Sequence, residues 1–304
     1  MHRLTSLILL AAAACCAGAV CCAAQSGSGA MNPAQTAQGQ AMLDRALANE
    51  YSAAEDASHP MRYELVKTSP RWSSTKRICE SKDGDVARLI AQNGKPLDAA
   101  DEQKEQARLT ELAGDPAKQR RRKQAEDADE QRVLKVLRAL PSAFLYLDAG
   151  PADGPAGKPG DSQSTRPGGG PLAKVERFTF KPNPGFSAPD LETQVLTQMA
   201  GEIWVDPVHL RVVRLEGHLQ QDVDFGWGIL GRLNKGGWIA IDQADVGPDR
   251  GVDQWRTVHF KMVMSGRVVW KTRVFDTNED ESGYEPVPPG LGYQKAIELL
   301  RGNP

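Results

Sequence analysis

The chain has 304 residues and carries 37 Lys and Arg against 39 Asp and Glu, a formal net charge of −2. A balance this even excludes the strong basic excess of a dedicated nucleic-acid binder.

The N-terminus reads as a secretory signal peptide, residues 1–24. Arg3 supplies a positive n-region, Leu4 to Val20 an apolar h-region, and Cys22-Ala23-Ala24 a small-residue cleavage site, with the cut expected after Ala24. Cys15, Cys16, Cys21 and Cys22 fall in this leader, which leaves Cys79 alone in the mature chain and excludes an internal disulfide. Cys79 is expected as a half-buried strand residue. A lipid-modified cysteine would also follow small residues, but Ala12-Ala13-Ala14-Cys15 matches weakly and Val20 before Cys21 is bulky. The expected product is an exported, soluble bacterial envelope protein of the periplasm with no further apolar run long enough to span a membrane.

Residues 25–35 are small and polar, the composition of a disordered tether. A helix is predicted over Thr36 to Ala54, with Leu43, Leu47, Tyr51 and Ala54 near one face. Strands are predicted over Arg62 to Thr68, Arg71 to Glu80 and Val86 to Gln92, with Asp83-Gly84 as the hairpin signal and Asn93-Gly94 closing the third. The charged segment 98–140 predicts two helices divided at Gly114-Asp115-Pro116, capped by Asp98 and Asp115. Val133, Val136, Leu137 and Leu140 give the second helix a docking stripe, and Pro141 is expected to end it. Its Arg120-Arg121-Arg122-Lys123 run is followed by Glu126, Asp127, Asp129 and Glu130, and reads as a solvated face. Residues 149–171, nearly all Gly, Pro, Asp, Ser and small side chains, predict a flexible insertion within one domain spanning 36–304.

Beyond it the chain predicts an antiparallel meander. Val175 to Lys181 puts Phe178 and Phe180 on one face, and Asp206-Pro207-Val208-His209 joins Glu202 to Asp206 with the next strand. Val213 to Phe225 alternates almost without error as a single long strand, roughly 43 Å at about 3.3 Å per residue, with a bend at Gly217. Its apolar face is Val213, Leu215, Leu219, Val223 and Phe225, with Gln221 the one amide among them, and a buried amide needs a partner or a cavity. Trp238 to Asp242 is a further strand. Thr257 to Met264 sets Val258, Phe260, Met262 and Met264 on one face, Ser265-Gly266 is expected to turn the chain, and Arg267 to Asp276 returns. His218 and His259 fall on polar strand faces and are expected exposed. A last helix, Tyr293 to Leu300, shows Tyr293, Ala296, Ile297 and Leu300 on one side.

Chemistry is sparse. Gly226-Trp227-Gly228-Ile229-Leu230-Gly231 has the dinucleotide spacing, but turn residues follow it where a helix would have to begin. Asp276, Asn278 and Asp280 open like a calcium loop, yet Glu281 and Val287 stand where Gly and Glu are needed, so an acidic surface loop is expected. No zinc-ligand spacing and no nucleophile elbow is present. The expectations are therefore no catalytic residue, no metal and no cofactor.

The leader, the first helix, the antiparallel strands, and Gly201-Glu202-Ile203-Trp204-Val205-Asp206 running into Arg211-Val212-Val213-Arg214-Leu215-Glu216 together resemble the outer-membrane lipoprotein-sorting proteins, the LolA/LolB-like periplasmic carriers. The resemblance covers about Val175 to Asp276 and, more loosely, Arg62 to Gln92. It implies an α+β fold in which a strongly curved antiparallel sheet, an incomplete β-barrel, wraps around helices. It also implies a non-catalytic carrier of lipid or lipoprotein acyl chains, with an envelope protein as a further partner. The charged helices, the Gly/Pro insertion and the lack of an assignable lid-locking arginine depart from that pattern. Val213, Leu215, Leu219, Gln221, Val223, Phe225, Val258, Phe260, Met262 and Met264 are the expected lipid-binding residues. The contrasting expectation is an envelope scaffold whose barrel is filled by its own side chains.

Overall fold

A computed structural model describes residues 33–154, 174–225, 231–247, 254–268 and 271–302. The leader, most of the tether and of the Gly/Pro segment, and residues 226–230 of the glycine motif lie outside the described residues. The chain opens with α1 (Pro33–Glu55), then β1 (Met61–Ser69), β2 (Trp72–Cys79), β3 (Val86–Gln92) and β4 (Lys95–Pro96). Asn93 and Gly94 take positive φ, 50° and 72°, the backbone that a two-residue hairpin loop requires.

Helices α2 (Ala99–Gly114) and α3 (Pro116–Ala143) follow. The Asp98 and Asp115 carboxylates each accept a backbone N–H three residues on, both at 2.8 Å, and so cap the two helices. Contrary to the expected stop, α3 continues past Pro141 to Ala143. In the last turn the missing proline N–H forfeits only one helical bond. Arg120 and Arg121 are exposed, whereas Arg122 donates to Asp85 O and Lys123 pairs with Asp127.

The remaining elements are β5 (Phe144–Ala152), β6 (Val175–Pro182), the short helix α4 (Leu191–Gln194), β7 (Met199–Asp206), β8 (Arg211–Leu219), β9 (Val223–Phe225), β10 (Gly231–Leu233), β11 (Trp238–Asp245), β12 (Trp255–Val268), β13 (Lys271–Pro286) and α5 (Tyr293–Arg301). Strand β5 extends through Gly150 and Pro151, residues expected in the flexible insertion. The described strands form one antiparallel, unclosed sheet of 13, ordered β4-β3-β2-β1-β13-β12-β11-β8-β7-β6-β5, with the β9–β10 hairpin pairing onto β12. The fold is thus α+β, and the first strand is hydrogen-bonded to the last.

Four further expectations are corrected. The stretch from Val213 to Phe225 is two strands, broken at Gln220 to Asp222. Ser265-Gly266 is no turn: β12 runs through both residues to Val268, paired as far as Lys271 of β13. Asp276, Asn278 and Asp280 lie within β13 rather than in a loop. There Asp276 pairs with Lys261 at 2.9 Å and Asp280 with His259 at 2.8 Å, which makes His259 buried rather than exposed. A cross-strand ion pair from Lys261 and a hydrogen bond from the His259 ring to Asp280 supply the partners that allow acidic residues in this ladder.

The main core packs α1 and α3 against strands β5 to β12, with Leu43, Leu47, Val136, Leu140, Phe144, Phe178 and Phe260 among its members. A second core lies under α2 and α5, where Tyr293, Ala296, Ile297 and Leu300 are all buried beside Leu109, Val86 and Cys79. Cys79 is fully buried, not half-buried, and burial pushes its thiol up to about 11. It is therefore a packed side chain with no thiolate character near neutral pH.

Candidate functional site

Three β-bulges decide which side chains meet inside the sheet. Across β7 and β8, Trp204 pairs with Arg214 but Val205 pairs with Val212, so Val213 is an extra residue. An extra residue inverts the alternation beyond it. Val212 therefore faces inward, and Val213 packs on the opposite side with Val175, Trp204 and Trp255. Across β11 and β12, Asp242 pairs with His259 but Gln243 pairs with Thr257, which makes half-buried Val258 the extra residue and turns Thr257 inward. On β13, Gly283 and Tyr284 lie opposite a single β1 residue, Tyr63, because Arg62 pairs with Glu285 and Glu64 with Ser282. Gly283 has φ of +65°, the left-handed conformation that such a bulge requires. Glu281 and Tyr284, three apart and so on opposite faces of a regular strand, thereby share the inner face.

These inner faces and helices α1, α3 and α4 line a cavity of about 390 Å³. Helix α1 contributes Leu47, Glu50, Ala53 and Ala54, and α3 contributes Arg132, Val133, Val136, Leu137 and Leu140. The sheet contributes an apolar wall that includes Phe144, Phe180, Met199, Val212, Ile239, Ile241 and Phe275.

Of the expected lipid-binding residues, Leu215, Phe225, Met262 and Met264 line this cavity. Leu219, Val223 and Phe260 belong to the closed core instead, each 4 % exposed or less. Val213 and Val258 are displaced by their bulges, and Gln221 is exposed in the bend between β8 and β9. Its amide needs neither a buried partner nor a cavity. The docking stripe of α3, Val133, Val136, Leu137 and Leu140, does face the site, and the 3.6-residue period alone was enough to find it. Glu50, Gln243, Thr257, Glu281 and Tyr284 were missed: a lone glutamate on a helix face carries no signal of its own, the bulge at Val258 that sets Thr257 beside Gln243 leaves no mark in residue type, and Gly283 at the β13 bulge reads equally well as a turn.

The polar groups of the wall fall into separate sets. Glu50 of α1 accepts from Arg211 Nε at 2.8 Å and Nη2 at 3.0 Å, from the Val212 N–H at 2.9 Å and from Gln243 Nε2 at 2.8 Å. Four donors saturate both oxygens and tie α1 to β8 and β11. At another stretch of wall, Tyr284 stacks on Tyr63 with ring centroids 4.8 Å apart. The Tyr284 hydroxyl lies 2.7 Å from Thr257 O and also contacts Glu281 Oε2. Burial raises the Glu281 carboxyl to about 8; the hydrogen bond that the ionised carboxylate would accept from Tyr284 opposes the rise, and Glu279 and Glu80 add to it. Glu281 is thus mostly protonated at neutral pH.

No cluster of three His, Cys, Asp or Glu side chains among the described residues is arranged to hold a metal ion. Asp56, Ser58 and His59 sit together outside the cavity, but Ser58 Oγ and Asp56 Oδ2 both contact the same ring nitrogen, His59 Nδ1, at 2.9 and 2.8 Å. A relay needs the two partners on different ring nitrogens, so this is a local turn and not a catalytic triad. No described helix is long and apolar enough to cross a membrane. The chain has no significant match to any family model, curated protein or solved structure.

Proposed function

We propose that the chain is an exported, non-catalytic carrier of the periplasm that shelters the acyl chain of a lipid or lipoprotein between α1, α3 and the inner face of its sheet. The observation that carries this reading is the cavity of about 390 Å³ with its largely aliphatic and aromatic wall. Small-molecule sites run from about 300 to 1,000 Å³, so this volume suits one chain-sized ligand. Each buried methylene contributes about 0.8 kcal/mol, and a dozen of them give an ample gross term without any charged contact. Met262 and Met264 suit the task because a thioether adapts to chains of differing length. The strand pattern that resembles the LolA/LolB-like carriers, with an unclosed antiparallel sheet packed on α1 and α3, supports the same reading. An envelope protein that delivers or receives the lipid is the implied partner.

A self-filled envelope scaffold draws support from Leu219, Val223 and Phe260, which close part of the inner face without a ligand. Native mass spectrometry on protein purified from its own envelope separates the two. A bound lipid mass that a competing acyl probe displaces is the expected result. A clean apo mass together with no uptake of a fluorescent acyl probe would sink the carrier.

A further inference from the structure

We infer that Glu281 seats the head of the ligand in this cavity, and that the head it selects is a hydrogen-bond donor, such as a hydroxyl or an ammonium, and not a carboxylate. The inference rests on the carrier reading and adds to it the polarity of the cargo.

Glu50 and Glu281 both contribute a carboxyl group to the wall, and they differ in what surrounds it. Glu50 has all its acceptor capacity met by Arg211, Val212 and Gln243. Glu281 meets only Tyr284, through Oε2, and among the described residues no group donates to its Oε1. One proton arrangement satisfies both contacts of the tyrosine. Tyr284 donates its hydroxyl proton to Thr257 O, and the Glu281 carboxyl proton, carried on Oε2, is donated to Tyr284 Oη. That leaves Oε1, a carbonyl-type acceptor on the wall of an apolar cavity. An acceptor in such a place calls for a donor.

Two acidic and two basic side chains stand around it, and of these the two acidic ones act on its carboxyl. Glu80, the residue after β2, lines the same cavity, Glu279 lies one pleat away on β13, and both carboxylates act against ionisation of Glu281. Glu279 is offset by Lys67 of β1 at 2.5 Å. Arg256 of β12 also lines the cavity, with its guanidinium hydrogen-bonded to the carbonyls of His59 at 2.8 Å and Trp255 at 3.0 Å. Tyr63 closes the other side by stacking on Tyr284. A fatty carboxylate brought to this point would meet Glu80 and a carboxyl that has itself kept its proton to avoid charge. An alcohol would find an acceptor. An ammonium would find an acceptor that becomes a full counter-ion as soon as Glu281 ionises.

The test is displacement of a fluorescent acyl probe from the full chain by three ligands of equal length: dodecylamine, dodecanol and dodecanoate. At pH 7 the amine and the alcohol should each displace the probe at a concentration at least about tenfold below that of the carboxylate. Raising the pH from 7 to 9 should tighten the amine several-fold and leave the alcohol unchanged, a readout that needs no variant. Glu281→Gln should abolish that pH response while alcohol binding persists, since the amide retains an acceptor oxygen. Equal affinity for all three, or a preference for dodecanoate that Arg256→Ala removes, overturns the inference while the carrier stands. Failure of the probe itself to bind overturns the carrier reading and the inference with it.

Discussion

Gly201 of β7 stands directly opposite Gly217 of β8, and a Cβ built on Gly201 would lie 1.9 Å from Glu216 O and 2.8 Å from Gly217 Cα. The two backbones approach too closely for any side chain at position 201. Gly201→Ala should therefore separate the strands and cost about 1–3 kcal/mol, an overpacking penalty, read as a lower urea midpoint. A Cβ at Gly217 meets instead the flexible Met199 thioether, Sδ at 2.8 Å. Gly217→Ala should cost less and push Met199 into the cavity, so its signature is weaker probe uptake and not a large loss of stability.

Leu215 and Leu219 lie on the same strand and should answer to different assays. Leu219 is 1 % exposed in the closed core, whereas Leu215 lines the cavity. Leu219→Ala should cost about 2–5 kcal/mol in denaturant unfolding. Leu215→Asp should block uptake of the acyl probe with a far smaller change in melting temperature. A protein that unfolds equally with both changes would have no cavity at Leu215.

The Glu50–Arg211 pair joins the first helix to the sheet, with the two side chains 10 % and 13 % exposed. Glu50→Gln leaves the Arg211 charge without its counter-ion and should destabilise by about 3 kcal/mol, the cost of breaking a buried pair. A double-mutant cycle with Arg211→Met should recover part of that loss, because removing both charges removes the uncompensated one.

Glu281 makes stability depend on pH with a definite sign. Its folded carboxyl titrates at about 8, against the ordinary value of 4.5. Between those limits the folded state holds the proton that the unfolded chain has released. Its contribution is fully present below the unfolded value and is lost as pH rises through about 8. The slope is at most about 1.4 kcal/mol per pH unit. Unfolding free energies of the wild type and Glu281→Gln, measured from pH 4 to 9, should differ in just that slope, with the variant flatter. Parallel curves would remove Glu281 as the source.

Much of the local structure was legible before the fold was known, for physical reasons that can be named. The buried face of α5 follows from a helical period in a short segment with no competing pattern. Asp98 and Asp115 act as caps because a short carboxylate before a helix has few better partners than the exposed N–H groups. The bulges at Val213 and Val258 were not legible. Both are β-branched residues that suit either face of a strand, and an extra residue between two such positions changes no local preference. The bulge on β13 did carry a signal, Gly283 beside an aromatic residue, yet Ser282-Gly283 reads equally well as a turn. Misplacing those insertions by one residue moved Val213 and Val258 into the expected site and left Thr257, Glu281 and Tyr284 out of it. The order of strands was equally invisible, since nothing in β1 marks β13 as its partner.

That pairing sets the order in which the chain can finish folding. Met61 and Pro286 are register partners, although almost the whole described chain separates them. A polypeptide emerging N-terminus first holds β1 as an open edge until β13 has been made, and its four N-terminal strands can join the rest of the sheet only through that last strand. Such late closure makes folding slow and leaves a sticky edge exposed for its whole duration. It also keeps the chain from locking early. For the exported carrier proposed above, which would be threaded through a membrane before it folds, a seam closed only by the last described strand is an advantage.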